Sequence, residues 1–298
     1  MPEVRDQVTL NIKPEWLKIR LHSSEQYAQT ASIVERHALH TICSSGMCPN
    51  KAECWSRKTA TFMILGDVCT RACKFCATKT GKTLPIDSNE PERVARSISL
   101  MELRHVVITS VTRDDLPDGG AGHWAAVVEA VRNTNPNTTI ELLIPDLDGQ
   151  AELLDTVIGS RPDILGHNIE TVERLTPLVR NKASYDTSMK AIRYIATSGT
   201  VAKSGLMLGL GETETEVLRA LDDLRDNGCE ILTLGQYLQP TRRHWPVAEY
   251  VTPQKFDRYA EEARKRGFSY VASGPLVRSS YMAEEALPHV ATNKHHRL

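Results

Sequence analysis

TATFMILGDVCTRACKFC, residues 59–76, joins a short apolar run to a loop that carries three cysteines within eight residues. TATFMILG (59–66) reads as a strand: it is apolar, too short for a typical helix, and closed by Gly66. Cys69, Cys73 and Cys76 lie in GDVCTRACKFC (66–76), just past the C-terminal end of that strand. Barrel enzymes keep their chemistry at that end, so the stretch predicts a fold and a site together.

Beyond it the chain alternates. EPERVARSISLME is helical in pattern, and HVVITSV (105–111) is a strand. HWAAVVEAVR spaces Trp124, Val127, Val128 and Val131 along one helical face. TIELLIPDL gives a third strand and AELLDTVIGS a helix. DILGHNIE (163–170), VAKSGLMLGL (201–210) and EILTLGQYL (230–238) give strands four to six, with helical segments between them. Thr213 and Glu216 form a capping box ahead of a helix that buries Val217, Leu218, Leu221 and Leu224. A last helix opens at Thr252–Pro253, with proline at its favoured first position, and ends near Gly267. Six strands alternating with helices predict an α/β fold with a parallel sheet. Six is too few to close an eight-stranded barrel, so the expectation is a partial (β/α)6 TIM-like barrel over 59–272. Residues 1–58 are expected as an N-terminal extension, in which Ser23 and Gln26 open a helix through about Leu39. Residues 273–298 are expected as a C-terminal extension.

The 298 residues are 41% apolar and 24% charged, enough to bury a sizeable core. Acidic residues (37) and basic residues (36) nearly cancel, which leaves no bulk attraction to nucleic acid or an anionic membrane. No apolar run approaches the roughly 18 residues that cross a bilayer. MPEVRDQVTL lacks the apolar core of a signal peptide, so a cytoplasmic protein is expected. Seven cysteines is an odd number, and in such a chain it argues against a disulfide framework and for metal binding or catalysis. No helix shows a sustained coiled-coil seam, and a monomer is expected.

A second trio, Cys43, Cys48 and Cys54, lies in CSSGMCPNKAEC (43–54). Each trio offers three thiols and lacks a fourth ligand. Three protein ligands with one open position is how a metal centre keeps room for a substrate. A structural zinc site completed by a distant histidine is the alternative for Cys69, Cys73 and Cys76; a zinc knuckle or free thiols is the alternative for the upstream trio. Cys229 has no partner in sequence and reads as a buried, inert thiol. Among ten histidines, His295 and His296 sit in the terminal tail, and His244 has no role that the sequence reveals.

C-x3-C-x2-C with Phe75 before its last cysteine resembles the radical S-adenosylmethionine superfamily. GLMLGLGE (205–212) is similar to that superfamily's G-x-I-x-G-x-x-E pattern, with Met207 in the isoleucine position. The resemblance implies that Cys69, Cys73 and Cys76 hold a 4Fe–4S cluster whose open iron is chelated by S-adenosylmethionine. Iron–sulfur potentials reach roughly −700 mV, and one electron from such a cluster is what the resemblance implies for cleaving the sulfonium C–S bond. The resulting 5′-deoxyadenosyl radical can take hydrogen from an unactivated carbon. Phe75, Ser110, Arg113, Asn168, Glu170 and Glu212 are the implied cofactor-binding residues, with Asp114 beside them. A helix-start role competes for Asn168, and a first-turn acid role for Glu212.

C-x4-C-x5-C upstream of C-x3-C-x2-C resembles the lipoyl synthase family. The similarity continues through TSVTRDDLPDGGAGHW (109–124), LLIPDLDG (142–149), HNIETVERLTPLVR (167–180), KSGLMLGLGET (203–213), GQYLQPTRRHWPV (235–247) and SGPLVRSSYMAEE (273–285). It implies a second 4Fe–4S cluster on Cys43, Cys48, Cys54 and Ser280, the second serine of R-S-S-Y. Serine is a hard, weakly held ligand for iron beside thiolate, which suits a cluster meant to be taken apart. Lys203 and Arg278 become candidates to steady anionic sulfide or carboxylate groups, with exposed ion pairs as the alternative. Ala202 and Thr187 depart from residues common in the family; neither is an implied ligand.

The implied activity is that of a sulfurtransferase. Two sulfur atoms from the auxiliary cluster enter carbons 6 and 8 of an octanoyl-lysine, with two S-adenosylmethionine consumed. The implied partners are octanoylated lipoyl carrier domains of 2-oxoacid dehydrogenase E2 subunits and the glycine cleavage H protein. A flavodoxin or ferredoxin reductant and an iron–sulfur cluster carrier are implied as well. Two rivals stay open: a radical enzyme whose second cluster relays electrons, and a zinc-stabilised binding module without catalysis.

Overall fold

The computed structural model describes residues 13–19 and 24–289. Its first helix, α1 (Glu25–Arg36), is capped by Ser24, whose side chain accepts from the Tyr27 amide. The cap expected at Ser23 lies outside the described residues, and the helix stops short of Leu39 because Ala38 turns at φ +47°. β1 (His40–Thr41), α2 (Ile42–Ser45) and α3 (Lys51–Ser56) follow and carry the first cysteine trio. β2 (Thr61–Ile64) leads into a small parallel ribbon of β3 (Val68–Cys69) and β4 (Lys79–Thr80), which frames the second trio.

From α4 (Glu90–Leu100) onward, helices and strands alternate. The order is β5 (His105–Ser110), α5 (Ala121–Thr134), β6 (Thr139–Leu143), α6 (Ala151–Gly159), β7 (Ile164–Gly166), α7 (Thr176–Val179) and α8 (Tyr185–Thr197). β8 (Val201–Leu208), α9 (Glu214–Asp226), β9 (Ile231–Gln236), α10 (Pro253–Lys265) and β10 (Tyr270–Gly274) complete it. The sheet order is β1-β2-β5-β6-β7-β8-β9-β10. β1 runs antiparallel to β2, and every other neighbouring pair is parallel. The edge strands β1 and β10 do not pair with each other, so the sheet is an open, partial barrel.

All six expected strands are present, as β2 and β5 to β9. The difference is a seventh parallel strand, β10, and the short β1 at the opposite edge. YVASG hides its identity because only Tyr270 and Val271 favour strands, and its residues are half-buried instead of forming an apolar run. The boundary expected at 272/273 falls inside this strand.

Helix faces follow their sequence periods. Trp124, Val127, Val128 and Val131 are all buried against the sheet. The box at Thr213 and Glu216 closes from both sides, and Val217, Leu221 and Leu224 are buried below it, while Leu218 stays half-buried. The concave face of the strands is small and polar by contrast. Thr61, Thr109, Gly205, Thr233 and Gly235 line a cavity instead of filling it. A Cβ at Gly235 would collide with the Val277 carbonyl, so glycine there lets the chain after β10 fold back over the barrel mouth.

Candidate active site

The second trio sits at the C-terminal ends of the parallel strands, as its position in sequence predicts. Cys69 ends β3, and its sulfur accepts from the amides of Arg71 (3.4 Å) and Thr112 (3.3 Å). Cys73 and Cys76 follow in the loop, joined by a Cys76 N–H to Cys73 carbonyl bond of 3.1 Å. Arg71, inside the loop, ties it to two neighbouring strand ends. Its guanidinium donates to Asp114 at 2.9 Å, to Asp146 at 2.8 Å and to Asp148 at 3.1 Å. Burial works against the Arg71 charge, but the bonds to Asp114 and Asp146 outweigh it and hold its pKa above the ordinary value. On the other side His244 packs its Nε2 3.0 Å from the Cys76 carbonyl, and the Trp245 amide donates to the Lys74 carbonyl at 2.8 Å.

The first trio meets the C-terminal chain more than 200 residues away. Cys43, Cys48 and Cys54 share a cavity with Ser280, Arg278 and Thr61. Asn50 Nδ2 donates to the Leu276 carbonyl (2.6 Å), Thr61 Oγ1 to Ser280 Oγ (2.7 Å) and Tyr281 Oη to Glu53 (3.0 Å). An Arg57–Glu284 ion pair of 3.1 Å closes the same contact at the surface. The R-S-S-Y turn therefore borders the same cavity as the first trio.

One larger cavity, of about 290 Å3, runs between the trios. Cys76 and Phe75 border one end; Cys43, Cys48, Arg278 and Ser280 border the other. An adjoining cavity of about 170 Å3 reaches Cys69, Cys73, Ser110, Asn168, Glu170 and Arg180. Ser110 Oγ and Asn168 Oδ1 are buried there without a hydrogen-bond partner among the described residues, as polar groups awaiting a polar ligand would be. Asn168 spends its Nδ2 on Ser279 Oγ at 2.6 Å. Burial pushes the Glu170 carboxyl upward against the opposing charge of Arg180.

The donor sets fit multi-iron clusters. Burial, then repulsion from Cys43 and Cys48, pushes Cys54 up to about 12. Burial likewise raises Cys48 and Cys76, and Cys73 rises to about 11. Clustered thiols of this kind become thiolates when a cationic centre takes their protons' place. Among the described residues no three His, Cys, Asp or Glu side chains converge to grip a single metal ion; both trios border cavities instead. Arg278, half-buried, borders the same cavity as Cys48, and the partial burial of its guanidinium lowers its pKa.

Four expected contacts lie elsewhere. Arg113 is buried in a fork to Asp115 (both bonds 2.8 Å) and also donates to the Leu65 carbonyl, with no edge on either cavity. Glu212 folds its own loop by accepting from the Gly209 and Leu210 amides at 2.5 and 2.9 Å. Lys203 is neither exposed nor beside a trio: it sits in the barrel floor, 2.6 Å from Glu141. Asp114 holds Arg71 instead of the cavity. Cys229 is a buried free thiol, pushed up to about 12 by burial. Sequence reasoning passed over Arg71, Arg180, Thr61 and Trp245. Their only signal was membership in the quoted motifs.

The family model of the radical SAM superfamily matches residues 63–224. A lipoyl synthase from Bacteroides thetaiotaomicron is 61% identical over 273 residues, covering 92% of this chain and 97% of its own length. The lipoyl synthase of Treponema denticola is 52% identical, covering 92% of this chain and 94% of its own. Among solved structures, Streptococcus suis SuiB bound to S-adenosylmethionine superposes with a TM-score of 0.55 at 12% identity, over 75% of this chain and 54% of that one. Methylornithine synthase gives 0.50 at 11% identity, over 92% and 90%. At such identities the likeness is one of fold alone.

Proposed function

This chain belongs to the lipoyl synthase family of the radical S-adenosylmethionine superfamily, and on that premise we propose which of its residues carry each part of the reaction. It is a radical sulfurtransferase that inserts sulfur into the octanoyl group of a carrier protein, using 4Fe–4S clusters and S-adenosylmethionine. Cys69, Cys73 and Cys76 are the proposed ligands of the cluster that binds S-adenosylmethionine. Together these cofactors supply one-electron chemistry strong enough to break an unactivated C–H bond. Acid–base chemistry cannot do this, because an alkyl chain offers nothing to stabilise a carbanion.

The sulfur is a second substrate, held by Cys43, Cys48, Cys54 and Ser280 and destined for carbons 6 and 8 of the octanoyl chain. Arg278 offsets the negative charge of that donor set. Ser110 and Asn168 present their unpaired oxygens to S-adenosylmethionine, and Glu170 is aimed into the same space. Phe75, Leu206, Met207 and Tyr237 give the cavity an apolar wall that excludes water from a reactive carbon. Residues up to 58 and from 273 serve as extensions that build the sulfur-donor site onto the barrel. Carrier domains of 2-oxoacid dehydrogenase E2 subunits and the glycine cleavage H protein are the proposed partners, with a flavodoxin or ferredoxin reductant and a cluster carrier. The proposed setting is a monomer in the cytoplasm, where reducing conditions keep all seven cysteines free.

The observation that supports this reading best is the single cavity bordered by Cys76 at one end and by Cys43, Cys48 and Ser280 at the other. A substrate carbon there can be activated from one side and receive sulfur from the other. Anaerobic protein with S-adenosylmethionine and a low-potential reductant should return an octanoylated carrier heavier by two sulfur atoms. A product lighter by two hydrogens, without sulfur, would overturn it. Ser280→Cys should retain roughly eight irons per chain while cutting sulfur insertion at least about tenfold, because a fourth thiolate holds iron more firmly than an alkoxide. Unchanged insertion would remove the serine from the donor set.

A further inference from the structure

Thr61 opens β2, and its buried hydroxyl lies 2.7 Å from Ser280 Oγ. Both side chains border the sulfur-donor cavity and the central cavity. A serine that ligates iron has given up its proton, so its oxygen can only accept. In that state Thr61 must be the donor, and an O–H bond to an ionised oxygen is charge-assisted, with a usual length near 2.5–2.7 Å. The turn around Ser280 is already anchored by other residues. Asn50 holds the Leu276 carbonyl at 2.6 Å, and Asn168 holds Ser279 Oγ at 2.6 Å. Thr61 is thus left with the ligating oxygen itself, and not with the backbone that carries it.

We propose that Thr61 is a positioning residue for sulfur donation: its hydrogen bond holds the Ser280 oxygen in the cavity it shares with the cysteine trio. In doing so it sets how firmly the last iron of the donor cluster is held. This rests on Ser280 being the fourth ligand. Without the hydroxyl, the serine side chain loses the bond that fixes its direction, and the iron it covered becomes open to outside ligands.

Release of iron to a chelator, measured on anaerobic cluster-loaded protein without S-adenosylmethionine or carrier, separates this role from a simple structural bond. Ser280→Ala should speed the release of one iron. Thr61→Val should speed the same release about tenfold, the scale of losing one charge-assisted hydrogen bond. Thr61→Ser should restore the parent rate, and the double variant should be no faster than Ser280→Ala alone. Thr61→Val at the parent rate beside a fast Ser280→Ala would overturn the role of Thr61 and leave the serine reading standing. Ser280→Ala at the parent rate would instead remove the serine reading. A double variant showing the product of both single effects would make Thr61 independent of Ser280 and overturn the proposal as well. Thr61→Ala provides the same comparison should valine crowd the turn, and unchanged iron on Cys69, Cys73 and Cys76 reports an intact fold.

Discussion

His167 illustrates how one buried side chain can couple the cavity wall to pH. Its Nδ1 lies 3.0 Å from the Ile144 carbonyl and must donate to it, while Nε2 faces Ser188 Oγ at 3.0 Å. Burial, then the nearby Arg180 charge, pushes its pKa down to about 4. An unfolded imidazole titrates near 6.5, so between those values the unfolded chain binds a proton that the native ring refuses. The contribution is full above about pH 6.5 and is lost as pH falls towards 4, with a slope of up to about 1.4 kcal/mol per pH unit. Urea titrations at pH 7 and pH 5 should show that loss, and His167→Gln should lack this part of it. An equal pH slope in the variant would assign the acid sensitivity to other groups. Little of this was legible in the sequence, where His167 is one of ten scattered histidines. The cysteines were legible because three thiols close in sequence stay close in any fold. Ser280 entered only by resemblance, since Cys43, Cys48 and Cys54, whose cavity it shares, lie far upstream.

At the scale of elements, the segment after β9 acts as a clamp on the cysteine loop. Tyr237 Oη donates to the Trp245 carbonyl at 2.6 Å, and Trp245 Nε1 donates to the Leu210 carbonyl at 2.9 Å. This fixes the backbone from which His244 reaches the Cys76 carbonyl, while its Nδ1 pairs with Thr241 Oγ1 at 2.9 Å. His244→Leu deletes the bond to Cys76 and should cost about 1 kcal/mol locally. The expected outcome is weaker iron retention at Cys69, Cys73 and Cys76, with the iron on Cys43, Cys48 and Cys54 unchanged. Equal retention at both sites would make His244 a bystander. The alternating strands and helices were readable from period and caps, because those signals are local: Thr213 with Glu216, and the valines of α5. β10 was not, because a strand of intermediate burial takes its stability from its β9 neighbour and not from its own composition. Arg113 and Glu212 bond locally and do not border either cavity, for a related reason. Position after a strand end brings a residue near the mouth, but its local partners decide which way it faces.

At the scale of the whole molecule, the open seam of the sheet and the proposed sulfur-donor site are the same feature. β1 and β10 leave the barrel unclosed. The trio after β1 and the turn after β10 meet across that seam, with Thr61 of β2 bonded to Ser280. A closed barrel would have filled this space with strands. The proposed sulfur store is therefore built from residues 43–54 and 276–281 and faces the same cavity as Cys76. On the proposed reading such a store is consumed by the reaction it serves, because the atoms that enter the product would come from a cluster held by three thiolates and one alkoxide. Among the described residues nothing supplies a second store: the remaining cysteine, Cys229, is buried and bonded towards the Ile231 carbonyl. Without an external cluster source, product should therefore level off at about one lipoyl group per chain, since each chain has one donor cluster. Iron at Cys43, Cys48 and Cys54 should fall in step, while iron at the other trio persists. Product counted by mass spectrometry against chain concentration checks the first statement, and iron analysis of the spent protein checks the second. Sustained turnover with no added sulfur or iron would mean that the sulfur comes from elsewhere, and the seam would need another explanation.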